Sequence, residues 1–65
     1  MLKHFQTNQV YQKIGSPYGD IEAYKIIAIG RNVVAAENMA TNKPFAVCRD
    51  DIEDFKNHFK LRLTT

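Results

Sequence analysis

Tryptophan is absent from this 65-residue chain, cysteine and serine each occur once, and histidine and proline twice. Each scarcity excludes something. The single thiol, Cys48, closes no internal disulfide, so the chain reads as a protein of a reducing compartment, not a secreted disulfide scaffold. With Cys48, His4 and His58 far apart and no His-x-x-x-His spacing, no zinc site is expected. The longest strongly apolar run, Ile26–Ile29, falls far short of the roughly 20 residues that span a bilayer. Met1–Gln6 has neither the apolar core nor the cleavage pattern of a signal peptide. No membrane partner is expected, and the expected location is the cytoplasm. A phosphate-binding glycine loop, a nucleophile elbow and a zinc-protease helix are all missing. So is the twelve-residue calcium loop with its central glycine and terminal Glu. The expectation is a protein without catalytic residues, cofactor or metal.

Charge of one sign is also lacking. Nine basic residues face seven acidic ones, for a net charge of +2, and no two basic residues are adjacent. Dedicated nucleic-acid binders cluster Lys and Arg on top of a high pI, and no linear cluster exists here. A chain this short forms one domain, residues 1–65, and buries only about 60% of its unfolded surface. Its core must be thin, and self-association is one way to enlarge it.

What is present is mainly β pattern. Tyr24–Ala36 reads as two apolar segments joined by Gly30-Arg31-Asn32, where Gly and Asn suit a hairpin turn with positive φ. The second strand is expected over Ile21–Ile29, with Tyr24, Ile26 and Ala28 on one face, and the third over Val33–Asn38. Met39–Lys43 turns the chain, with Asn42 the residue suited to the left-handed region. Phe45–Arg49 then forms a fourth strand with Phe45 and Val47 on one face and Cys48 on the other, its thiol expected in or near the core. Before these, Gln9–Ile14 alternates as a first strand, and Gly15–Asp20 is a loop with Tyr18 at its centre. Leu2 and Phe5 fit either a helical turn or a strand lead-in.

From Asp50 the period changes. Ile52, Phe55 and Phe59 recur on one face of a helix expected over about 51–60. Asp50 is placed as N-cap with Glu53 in a capping-box-like position, and His58 near the other end. Leu61–Leu63 alternates again and reads as a last short strand. Apolar residues on both faces of the second and third strands call for cover on both sides. Two architectures meet that need: a small, partly open antiparallel barrel, or a meander of three to five strands with one C-terminal helix. The meander spacing, the polar-to-apolar fourth strand and the acidic turn after Arg49 resemble small SH3-like barrels in shape alone.

Two groups of side chains stand out. Asp50, Asp51, Glu53 and Asp54 crowd the start of the expected helix. Capping and complementarity to the helix dipole account for their order; the functional alternatives are a divalent-cation site or a docking surface for a basic partner. Tyr11, Tyr18 and Tyr24, together with Phe5 and with Lys13, Lys25 and Arg31, form the second group. They read as a thin core with hydroxyls at its rim, as interface anchors, or as a stacking-and-charge surface for single-stranded nucleic acid. The binding residues expected from the sequence are therefore Tyr11, Tyr18, Lys25, Arg31, Asp50, Asp51 and Asp54. The expected function is that of a small regulatory or inhibitory protein that binds a larger protein stoichiometrically, of the kind phages and mobile elements often encode. A nucleic-acid-binding small barrel and a homodimeric scaffold are the alternatives.

Overall fold

The computed structural model describes residues 5–62. The expected Leu61–Leu63 strand therefore lies partly outside the described residues, as does Leu2. The protein is mainly β. Strands β1 (Val10–Lys13), β2 (Ala23–Ile29), β3 (Val33–Asn38), β4 (Pro44–Cys48) and β5 (Phe59–Arg62) form one antiparallel sheet in the order β4-β3-β2-β1-β5. Single 3-10 turns occupy Gly19–Glu22 and Arg49–Asp51, and the second runs directly into helix α1 (Ile52–His58). β4 and β5 are the sheet's two edges and do not pair, so the barrel stays open. No helix among the described residues is long and apolar enough to cross a membrane.

The meander β2–β3–β4 follows the expected pattern, and the register shows which face is the core. Ile26 lies opposite Ala36, Val34 opposite Val47, and Tyr11 opposite Tyr24. Over that face sit Phe5 and Phe55, both nearly inaccessible. Their rings pack with Tyr11 at centroid distances of 5.2 Å (Phe5–Tyr11), 6.1 Å (Phe5–Phe55) and 5.7 Å (Tyr11–Phe55). Tilted and edge-on contacts at these distances suit the ring quadrupoles.

Several boundaries differ from the sequence reading, each for a physical reason. Ile21 is exposed in the 3-10 turn before β2, because the Asn38 side chain bonds the Ile21 carbonyl at 2.8 Å and holds that segment off the ladder. Tyr24, Ile26 and Ala28 do not share one face. A bulge between Ile26 and Ala28 shifts the register, so Ala28 opposes Ala35 and Ile29 opposes Val34. Helix α1 ends at His58, not residue 60, because Phe59 turns extended (φ −127°, ψ 149°) and its successors pair with β1. No side-chain cap bond forms at either helical start, so Asp50 is not the N-cap. The Arg49–Asp51 turn feeds α1 in helical conformation, so the extended residue ahead of it is Cys48, whose side chain makes no cap bond. The Gly30-Arg31-Asn32 turn uses no positive φ; the positive values are at Asn8, Gly15, Gly19 and Asn42. A Cβ at Gly30 would lie 3.3 Å from Val33 Cγ1, a tight contact to which that side chain would have to yield, and 3.4 Å from the Val33 carbonyl oxygen.

Cover on both faces is only partly achieved. Val10 and Ala23 are buried on the second face, but Ala28, Val33, Ala46 and Cys48 on its β2–β4 half are exposed. The thiol expected in or near the core is thus at the surface. Val47 takes the inward position opposite Val34, and pleat alternation turns Cys48 outward opposite Val33.

Candidate functional site

The gap between β4 and β5 contains a groove of about 560 Å³. Its floor is aromatic: Tyr24 from β2, Phe45 from β4, Phe55 from α1 and Phe59 from β5. Tyr24 stacks on Phe45 at 4.7 Å and meets Phe59 edge-on at 5.7 Å, while Phe59 stacks on Phe55 at 4.4 Å. Four elements supply one ring each, so the floor exists only when the sheet has curled and α1 has docked. Phe45 remains 37% exposed, and Tyr24 and Phe59 are half-buried. Phe45, Ala46 and Val47 all line the groove. Consecutive strand residues point to opposite faces, so a space touched by all three reaches the edge of β4 itself.

The rim is charged. On one wall Lys13 Nζ lies 3.3 Å from Glu22 Oε2, and the Ser16 hydroxyl donates a hydrogen bond to the same carboxylate. The Ser16 bond first, and the Lys13 charge after it, hold the Glu22 carboxyl below the usual carboxylate range. On the other wall stand Asp51, Asp54 and His58. His58 Nδ1 donates to the Asp54 carbonyl oxygen at 2.9 Å, and the Asp54 carboxylate lies 3.7 Å from that ring nitrogen. The Asp51 side chain makes no hydrogen bond or ion pair among the described residues. One lysine against three carboxylates gives the lining a net charge of −2 with His58 neutral, on a chain whose net charge is +2.

A set of tethers fixes the Gly19–Glu22 turn that carries the Glu22 wall. Gln12 Nε2 donates to the Gly19 carbonyl at 2.9 Å, Arg62 Nη1 pairs with Asp20 at 2.9 Å, and Arg62 also bonds the Gln12 side chain. Asn38, the one buried polar residue among those described, donates to the Ile21 carbonyl and accepts from the backbone N–H groups of Ala40 and Thr41. The turn is therefore held from β1, β3 and β5 at once.

Of the residues expected to bind, only Asp51 and Asp54 reach this groove. Tyr11 is a core residue, 6% exposed, and burial pushes its phenol up. Tyr18 is 65% exposed in the loop before β2, and Arg31 is exposed beyond that strand's far end, so the two stand at opposite ends of β2. Lys25 lies on the second face opposite Val10 and Glu37. Asp50 is exposed in the turn before α1 and does not line the groove. The sequence reading missed Phe45, Phe55 and Phe59 as a joint surface. The four-residue spacing of Phe55 and Phe59 signals a shared helix face, but their meeting with Tyr24 and Phe45 carries no local signal. Among the described residues no three metal-capable side chains converge. The chain matches no protein-family model, no curated protein and no solved structure.

Proposed function

We propose that the protein is a non-enzymatic regulatory or inhibitory domain that binds a larger protein stoichiometrically through the groove between β4 and β5. The observation that carries this reading is the partly exposed aromatic floor, with Tyr24, Phe45 and Phe59 offering ring area to an incoming chain. Aromatic residues set in a pocket with a polar rim are the usual anchors of protein interfaces. The edge of β4 borders the same space, so a partner segment can add backbone pairing to side-chain contact. The nucleic-acid alternative draws less support. Its tyrosines and basic residues are dispersed, and a net charge of −2 in the groove opposes phosphate.

The test is stoichiometric binding to a purified partner captured through a photoreactive residue at position 58, an exposed position on the groove wall. Supporting the reading requires a 1:1 complex weakened at least about tenfold by Phe45→Ser, with Val33→Thr on the other face without effect. Unchanged affinity in Phe45→Ser, or capture of nucleic acid alone, rejects it. The exposed second face, with Ile27 42% and Val33 39% accessible, favours homodimerisation as a second reading. Sedimentation that returns a monomer at every concentration up to the millimolar range removes it.

A further inference from the structure

We infer that the groove is built for a basic side chain, so that the partner presents a lysine or arginine on an extended segment. This deepens the protein-binding reading and rests on it. Three features of the groove converge on a cation. First, Tyr24, Phe45 and Phe59 present ring surface from three different strands around one space. The face of an aromatic ring is negative in its quadrupole and attracts ammonium and guanidinium groups within about 6 Å. Second, the carboxylates of Asp51 and Asp54 open onto the same space, Asp54 with only the exposed His58 ring beside it at 3.7 Å. Asp51 makes no side-chain capping bond and has no charged partner among the described residues. Third, the cation already in the lining is committed, since Lys13 pairs with Glu22 at 3.3 Å across the opposite wall. The groove is thus an acidic patch on a chain of net positive charge.

These features fit together in one mode of recognition. The aliphatic stem of a lysine or arginine lies along the rings, and its charged head reaches Asp51 and Asp54. Long basic side chains commonly bury their stems on apolar surface and keep their heads at a polar rim. The segment that bears it runs along the unpaired edge of β4, whose residues Phe45–Val47 form that wall. An acidic side chain in the same place would face three carboxylates, and a purely apolar one would leave Asp51 to be desolvated without a partner.

The experiment uses the full chain, isotopically labelled, titrated with a nine-residue acetylated and amidated peptide that carries arginine at alternate positions. A control peptide replaces each arginine by glutamine. The expected result is a set of chemical-shift changes at Tyr24, Phe45–Val47, Asp51, Asp54 and Phe59. Affinity should fall at least about tenfold for the glutamine peptide and by a similar factor for the double variant Asp51→Asn with Asp54→Asn. The variant's own spectrum establishes that it is folded, which is expected because both side chains are exposed. Equal binding of the two peptides at the groove overturns the basic-residue inference and leaves the protein-binding reading intact. Shift changes confined to the second face, or concentration-dependent changes at the groove without peptide, overturn it as well. The first outcome places the contact elsewhere, and the second makes another copy of the chain the occupant. Loss of the 1:1 complex test described above, by contrast, rejects the parent reading whatever the peptides do.

Discussion

Replacing Asn38 by Ala is expected to destabilise the protein by about 2–4 kcal/mol. Asn38 is 7% exposed and makes three hydrogen bonds, of 2.8 Å to the Ile21 carbonyl and 2.9 and 3.0 Å from the Ala40 and Thr41 amides. Each such bond contributes about 0.5–1.5 kcal/mol net, and a partner left without water costs more. Ile21, Ala40 and Thr41 are themselves exposed, so their freed groups regain some water, which sets the lower end of the range. A domain of this length has a total stability of about 3–10 kcal/mol, so the change is a large fraction of it. Urea unfolding followed by circular dichroism measures it, and the lack of tryptophan rules out the commonest fluorescence probe. Asn38→Asp sharpens the test. The carboxyl keeps the two accepted bonds but, when ionised, cannot donate to Ile21. At neutral pH its urea midpoint should therefore fall below wild type through the loss of that one bond. A value for Asn38→Ala within about 0.5 kcal/mol of wild type, the range of an ordinary surface change, would refute the account of Asn38 as the clasp of the Gly19–Glu22 turn.

Phe55→Ala removes the ring that joins the core to the groove floor and should cost about 3–5 kcal/mol, read as a lowered urea midpoint by circular dichroism. Glu22 gives an acid-side pH dependence. Its folded pKa is depressed by Ser16 and Lys13, so its contribution is present above the ordinary Glu value of about 4.3 and is lost as pH falls through the folded value. Glu22→Gln should flatten that limb in urea midpoints taken between about pH 6 and pH 3. Tyr11 acts at the other end: burial raises its phenol pKa, so stability should fall as pH rises beyond about 10, and Tyr11→Phe should lessen that fall in thermal melts. Cys48 should react with a thiol reagent in the folded protein as readily as in urea, since it is exposed; strong native-state protection, read by mass spectrometry, would contradict its outward position.

Much of the fold was legible locally. Period-two alternation marked β3 and β4, the change to helical spacing at Ile52 marked α1, and Asn42 adopts the left-handed conformation its side chain tolerates. Misreadings fell where a distant group overrode a local preference. Ile21 belongs to β2 by pattern and leaves it because Asn38 claims its carbonyl. Ala28 changes face because of the bulge after Ile26, which depends on how β3 fits against β2. Phe59 continues the helical stripe by spacing and becomes strand because β1 offers it a partner, Lys13.

Composition and periodicity by themselves therefore determined a mainly β domain with one late helix, because hydrophobic spacing along a strand or helix is a property of neighbours in sequence. They also placed carboxylates at the start of that helix. Only the tertiary structure decided that Asp51 and Asp54 share a groove with Tyr24, Phe45 and Phe59 while Tyr18 and Arg31 stand apart. The aromatic floor joins residues from positions 24 to 59. Its geometry depends on how far the sheet curls before β4 and β5 fail to meet, and that balance of strand twist against helix packing is set by contacts among all the elements at once.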